Sequence, residues 1–229
     1  MIKARSLKEL GRLDEAAEVL NAAPAHPEVE NERGCLALAK GLLDEAEACF
    51  RSVLTQDRAH KAAATNLAQV LVLKGKIEEA LDTVYPFATS SEEELFSPKA
   101  ACLAARCLNS LKRYVESLNL LSLVETAALK PQERFELYLV RGNAHFGLEQ
   151  WLEAADCYFE AYRINPNDSE LLFRIGLLML KLERWEDAES AFLNAIHADP
   201  GNQEANNLLQ IARHMRLLAQ GRGGQAKTL

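Results

Sequence analysis

The sequence predicts an all-α fold, a right-handed α-solenoid of helix-turn-helix repeats closed by a C-terminal capping helix. The first observation is a fixed spacing, because one set of residues recurs 34 positions later. The two sets are Gly142, Ala154, Tyr158, Ala161 and Pro166, then Gly176, Ala188, Phe192, Ala195 and Pro200. A period of this length is typical of stacked helix pairs. The second observation is composition, since the 229 residues include only 11 glycines and 7 prolines.

A short turn motif marks successive repeats along the chain. It ends in a small residue, and these residues are Ala16, Ala46, Ala80, Ser117, Ala154 and Ala188. Their separations are 30, 34, 37, 37 and 34 residues. Each of the two longer intervals has three residues more than the 34-residue period, and we place them near 95–97 and near 132–134. Both positions fall at turns between repeats, where insertions cost little free energy.

The motif series divides the chain into consecutive segments. A partial repeat occupies residues 1–26, and we expect five full repeats at 27–60, 61–97, 98–134, 135–168 and 169–201. Each repeat has the apolar spacing of two helices, and a proline ends the second helix where one is present. Residues 202–220 are expected to form the capping helix. Residues 221–229 are polar and rich in glycine, which predicts a disordered tail.

These motifs resemble the tetratricopeptide repeat, whose pattern is W-x2-L-G-x2-Y, then A-x3-F, then P. In the segment from Ser169, the glycine of the pattern is Gly176, the alanine is Ala188, the aromatic is Phe192 and the proline is Pro200. The resemblance covers about residues 5–200. The segment from Pro98 departs from the pattern, with small or apolar replacements at Ala105, Ser117 and Leu121.

Charge and hydropathy exclude several classes of partner. The formal net charge of −7 argues against general nucleic-acid binding. A basic C-terminal stretch contains Arg213, Arg216, Arg222 and Lys227, and we interpret it as a solvated helix end. The alternative is a minor contact with nucleic acid or a membrane surface. No uncharged apolar run is long enough to predict membrane insertion.

The search for catalytic or metal-binding residues finds none. The chain lacks G-x-x-x-x-G-K-[ST], H-E-x-x-H and G-x-S-x-G motifs. Its five cysteines form no C-x-x-C pair, which predicts free thiols in a reducing compartment, the cytoplasm. We therefore expect a protein that is not an enzyme and that has no cofactor.

The resemblance implies that the first helix of each pair lines an inner groove that holds a peptide or a partner protein. Its predicted contacts combine a polar middle with an apolar C-terminal end. They are Asn31, Gln69, Lys99, Arg106, Asn109, Asn143, Phe146, Phe173 and Leu177. The alternative is that these are ordinary solvated positions, or that Leu177 packs on the capping helix. A carboxylate clamp of the co-chaperone type is not expected, because only Asn66 and Lys99 match its pattern.

Three functional hypotheses follow. The first is a scaffold or adaptor that binds a protein partner in the groove. The alternative is the recognition or oligomerisation region of a larger protein, such as an enzyme or a secretion or pilus assembly factor. The third is a homo-oligomer formed through the open N-terminal repeat.

Overall fold

The computed structural model describes the backbone of residues 2–225 and the side chains of residues 3–220. All regular secondary structure in these residues is helical. The prediction of an all-α fold is therefore confirmed. The chain divides into two compact units, Met1–Val124 and Glu125–Leu229.

Unit 1 consists of four helix pairs. Within each pair the first helix packs against the second, and each first helix also contacts the first helix of the following pair. The helices are α1 (Ile2–Glu9), α2 (Leu13–Asn21), α3 (Pro27–Ala39), α4 (Leu43–Gln56), α5 (Lys61–Leu73), α6 (Ile77–Thr89), α7 (Pro98–Ser110) and α8 (Tyr114–Leu121).

Unit 2 begins with a 3-10 turn at Thr126–Ala128 and continues with two helix pairs and a final long helix. These are α9 (Pro131–Gly147), α10 (Trp151–Ile164), α11 (Ser169–Lys181), α12 (Trp185–Ala198) and α13 (Gln203–Gln225).

The predicted boundary at residue 135 differs from the structure, since α9 begins four residues earlier at Pro131. Proline favours the first turn of a helix, and the backbone N–H of Lys130 donates to Glu133 Oε2 at 3.0 Å. The preceding helix α8 is short and ends at Leu121. The extra residues of this interval therefore lie within 122–130, rather than near 132–134.

Helix α13 packs against α12 through a core that includes Ala205, Leu209 and Ala212. The predicted end at residue 220 is too early, because the helical backbone continues to Gln225. The predicted disordered tail thus overlaps α13 at residues 221–225, and residues 226–229 lie outside the described chain.

A second face of α13 is polar. Asn206, Asn207 and Gln210 occupy the positions that Leu172, Phe173 and Gly176 occupy in α11. In α11 these residues pack towards α12, whereas no further helix follows α13 in the described residues. A capping role for α13 stays a prediction, which this polar face supports.

The turn inside every helix pair uses the same left-handed backbone conformation. Its residue has φ between 56° and 76°, and the next residue donates its N–H to a carbonyl five positions earlier. This is the Schellman ending of a helix. The residues are Gly11, Gly41, Gly75, Lys112, Glu149 and Glu183.

The two helices of a pair approach most closely where a glycine faces an aromatic ring. A Cβ atom added to Gly176 would lie 2.5 Å from Cε1 of Phe192, and Gly142 has the same relation to Tyr158. Gly34 and Phe50 form the third such pair. Where alanine stands at the glycine position, the residue 16 positions later is smaller than an aromatic residue. These pairs are Ala4 with Leu20, Ala68 with Val84 and Ala105 with Leu121.

Charged side chains join successive pairs in unit 1. The carboxylate of Glu47 on α4 contacts Lys74 Nζ at 2.6 Å and Arg51 Nη2 at 2.8 Å, and its side chain is 13% exposed. The hydrogen bonds from Lys74 and then from Arg51 lower the pKa of Glu47 to about 2. Lys74 lies at the end of α5, so this network ties one repeat to the next.

The glycine–aromatic packing predicts that Gly176→Ala destabilises unit 2 by roughly 1–3 kcal/mol, because the new methyl group overlaps the Phe192 ring. The companion Phe192→Leu recreates the pairing of Ala105 with Leu121. We expect the double variant to lose less stability than the sum of the single variants in urea denaturation. Strictly additive losses would contradict the compensation.

The lowered pKa of Glu47 predicts a pH-dependent contribution to stability. Glu47→Gln should reduce the free energy of unfolding by roughly 1 kcal/mol at neutral pH, a value that allows for solvent screening. A carboxylate with a depressed pKa stabilises the fold above the pKa of the unfolded chain. The difference between wild type and variant should therefore shrink as the pH falls from 4.5 towards 2.

The matched control for this prediction is Glu45→Gln, an exposed carboxylate on the same helix that forms no ion pair among the described residues. Chemical denaturation at a series of pH values measures both variants. A Glu47 effect that persists unchanged at low pH would show that charge is not its origin.

Candidate functional site

The first helices of unit 1, α1, α3, α5 and α7, contact one another in series. We call the surface that they form the first-helix face. At its N-terminal end, Arg5 Nε lies 2.7 Å from Glu32 Oε1 and Lys8 Nζ lies 3.4 Å from Glu32 Oε2. The Glu32 side chain is only 7% exposed, so these two cations hold a buried carboxylate between α1 and α3.

A second polar contact joins α3 to α5. Asn66 Nδ2 donates a hydrogen bond to Asn31 Oδ1 at 3.2 Å, and it also lies 3.2 Å from Cys35 Sγ. Asn31 was predicted as an exposed groove residue, but it is buried by this packing. Sequence reasoning also missed Arg5, Lys8 and Glu32 as a cluster, because no single helix contains both partners.

The predicted contacts on α5 and α7 are accessible. Gln69, Lys99 and Arg106 are exposed, and Asn109 is half-buried. Neither the Lys99 ammonium nor the Arg106 guanidinium forms a hydrogen bond or ion pair with any described residue. Positions 99 and 106 are two helical turns apart, so both cations lie on one side of α7. The first-helix face therefore carries uncompensated positive charge within an acidic chain.

The predicted contacts of unit 2 take part in internal packing. Asn143 Oδ1 accepts a hydrogen bond from the Tyr158 hydroxyl at 2.8 Å. The Phe146 ring meets Trp151 edge-on, with 5.2 Å between centroids. Both contacts connect α9 to α10.

The apolar contacts predicted on α11 are less accessible than expected. Phe173 is buried, and its ring centroid lies 5.9 Å from that of Phe192. Leu177 is partly buried against the same core. The expectation of an exposed apolar groove end is thus not met by Phe173, because α12 covers its ring.

Three of the five cysteine thiols have a pKa well above that of an ordinary free thiol. Burial raises the pKa of Cys49, Cys107 and Cys157 to about 11, so these thiols stay protonated at neutral pH. Among the described side chains, no three histidine, cysteine or acidic residues come together as metal ligands. No helix of the described chain has the length and apolar character needed to cross a membrane.

The repeated pairing of helices, the Schellman turns and the glycine–aromatic contacts together define a repeat family. A model of the tetratricopeptide repeat matches residues 31–85 and 139–203, about half of the chain. This chain belongs to the tetratricopeptide repeat family. Proteins of this fold generally mediate protein–protein interactions, and such repeats are typically not catalytic.

Individual relatives are distant. The chain is 24% identical to the DnaJ protein P58IPK homolog B of Oryza sativa subsp. japonica, across 98% of this chain and 52% of that protein. It is 26% identical to the BBSome complex member BBS4 of Bos taurus, across 86% of this chain and 37% of that protein. The chain thus spans about half, or less, of the length of these relatives.

Solved structures show the same fold. The tetratricopeptide repeat protein TTC0263 of Thermus thermophilus has a TM-score of 0.66 at 17% sequence identity, over 82% of this chain and 98% of that one.

The contact between Tyr158 and Asn143 predicts a structural role for Asn143. Tyr158→Phe removes the hydroxyl and should lower the free energy of unfolding by about 1 kcal/mol. Tyr162→Phe on the same helix is the control, because its hydroxyl has no hydrogen bond among the described residues. Equal urea midpoints for the two variants would contradict this role.

Proposed function

We propose that this protein is a cytoplasmic, non-catalytic scaffold or adaptor that binds an acidic, extended segment of a partner protein on the first-helix face of unit 1. The observation that carries the proposal is the exposure of Lys99 and Arg106 without compensating carboxylates. The five free cysteines support a reducing compartment.

Each side chain has a distinct part in this proposal. The planar guanidinium of Arg106 binds a carboxylate through two hydrogen bonds, and Lys99 adds a point charge on the same side of α7. The amide of Gln69 hydrogen-bonds the partner's backbone. The ion pairs at Glu32 fix α1 against α3, so that the surface is ordered before the partner arrives.

The second candidate is the recognition region of a larger protein or assembly. The relatives favour it, because they are longer than this chain and one of them is by name a member of a complex. This candidate uses the same surface and differs in the molecule that contains it. Self-association through the N-terminal repeat is a third possibility that sedimentation at several concentrations tests.

The experiment is a comparison of wild type with Lys99→Glu/Arg106→Glu. We expect the variant to lose partners captured from a native lysate by quantitative mass spectrometry. A synthetic peptide of the acidic segment of a captured partner should bind wild type by calorimetry, with an affinity that falls as salt is added. Its affinity for the variant should fall by roughly a hundredfold or more.

The matched control is Arg58→Glu/Lys112→Glu, which changes the net charge equally at two exposed turn positions of the same unit. This control should retain its partners. Loss of binding in both double variants would point to total charge rather than to this surface. Retention in both would move the binding site away from the first-helix face.

A further inference from the structure

Within each unit, the second helix of a pair packs against the helix that follows it, and we call this contact a seam. The residues that form the seam differ along the chain. The residue after the small residue of the turn motif is Glu47 in α4 and Glu189 in α12, but Ala155 in α10. Glu189 resembles Glu47 in its contacts, since its carboxylate lies 2.9 Å from Arg213 Nε and 3.2 Å from Arg216 Nε. Two of the seams are therefore filled by a partly buried carboxylate and its cations.

The cationic side differs in the same way among these three seams. Lys74 and Arg216 occupy equivalent positions in the repeat spacing, and the equivalent residue after α11 is Leu182. The seam between α10 and α11 thus lacks both charges. A methyl group stands where the seams of α4 with α5 and of α12 with α13 have a glutamate side chain.

An open apolar cavity of about 400 Å³ lies at this seam. Its walls are mostly apolar, and we call it the outer groove. The lining residues include Ala155, Asp156, Phe159, Tyr162, Ile175 and Met179. Phe159 is 61% exposed, and Leu152, two turns earlier on the same side of α10, is 76% exposed. Large apolar side chains grouped in this way mark interaction sites.

Unpaired carboxylates border this apolar stripe. Asp156 lines the groove and Glu153 lies one turn before it, and neither carboxylate forms an ion pair or hydrogen bond with any described residue. Glu160 is paired with Arg163 at 3.2 Å. The rim therefore has free negative charge, whereas the groove itself is apolar.

We propose that the outer groove binds an amphipathic helix of a partner protein, with apolar side chains on one face and lysine or arginine beside them. The spacing of Leu152, Phe159 and Tyr162 covers three turns of α10, which suits the i, i+3, i+4, i+7 anchors of a docked helix. The basic residues of that helix pair with Asp156 and Glu153. This site goes beyond the function proposed for unit 1 and uses different residues in unit 2.

The probes are three synthetic peptides of about 16 residues, a length of four helical turns. The first combines leucine and lysine at amphipathic helical spacing. The second replaces every lysine with glutamate, and the third has the composition of the first in an order that abolishes amphipathicity. Fluorescence anisotropy measures affinity for the full chain, and NMR chemical-shift changes at Met179 and Ile175 methyl groups locate the contact.

The decisive variant is Ala155→Glu/Leu182→Arg, which copies the filled seams of Glu47 with Lys74 and Glu189 with Arg216. We expect it to weaken binding of the leucine–lysine peptide by roughly tenfold or more. Phe159→Ser is the second variant, and its exposed position ensures that folding is retained. Leu193→Ser is the matched control, because Leu193 occupies the equivalent position on α12 and should leave the affinity unchanged.

The proposal is supported if the leucine–lysine peptide is the only one of the three that binds, and if it causes chemical-shift changes at the groove methyl groups. Its affinity should also fall in both groove variants. The proposal is overturned if the glutamate or reordered peptide binds equally, or if the groove variants bind like wild type. Self-association of wild type that disappears in Phe159→Ser would assign the groove to a second copy and overturn it as well. None of these results depends on Lys99 or Arg106, so they are separable from a failure of the unit 1 site.

Discussion

The close approach of two helices within each pair is the constraint on which the remaining structure depends. A glycine, which has no Cβ, lies against an aromatic ring in three of the pairs, as at Gly142 and Tyr158. Where alanine replaces the glycine, valine or leucine replaces the ring, so the combined volume is kept roughly constant. This compensation in side-chain volume explains how the segment from Pro98 departs from the family pattern and still forms a helix pair.

Features with a local physical cause could be predicted from the sequence. The 34-residue period, the turn motif and the proline stops predicted the helix pairs, because each depends on neighbouring residues. Exposure on the first helices could not be predicted in the same way. Asn31 and Phe173 share a helical face with accessible residues, but Asn66 covers one and α12 covers the other. Such burial depends on contacts between elements that periodicity does not encode.

The boundaries that were missed have equally specific reasons. The period alone places the start of the fourth full repeat at residue 135, whereas the local signals of Pro131 and Glu133 begin α9 earlier. The glycines after residue 220 suggested a loop, yet the backbone continues the helix to Gln225. In the first case a strong helix start prevailed over the repeat spacing. In the second, continuity with a long helix outweighed the low helix propensity of glycine.

Although the net charge of the chain is −7, two of its surfaces carry unpaired charges of opposite sign. Unpaired Lys99 and Arg106 lie on the first-helix face of unit 1, and unpaired Asp156 and Glu153 border the outer groove of unit 2. Because charge complementarity decides which partners are rejected as well as which are accepted, a single ligand is unsuited to both surfaces. The first surface is polar and suits an extended acidic segment, whereas the second offers apolar area to a basic helix. The two proposed sites share no residues, so the adaptor role that we propose would let two partners of different chemistry bind without competing for the same side chains.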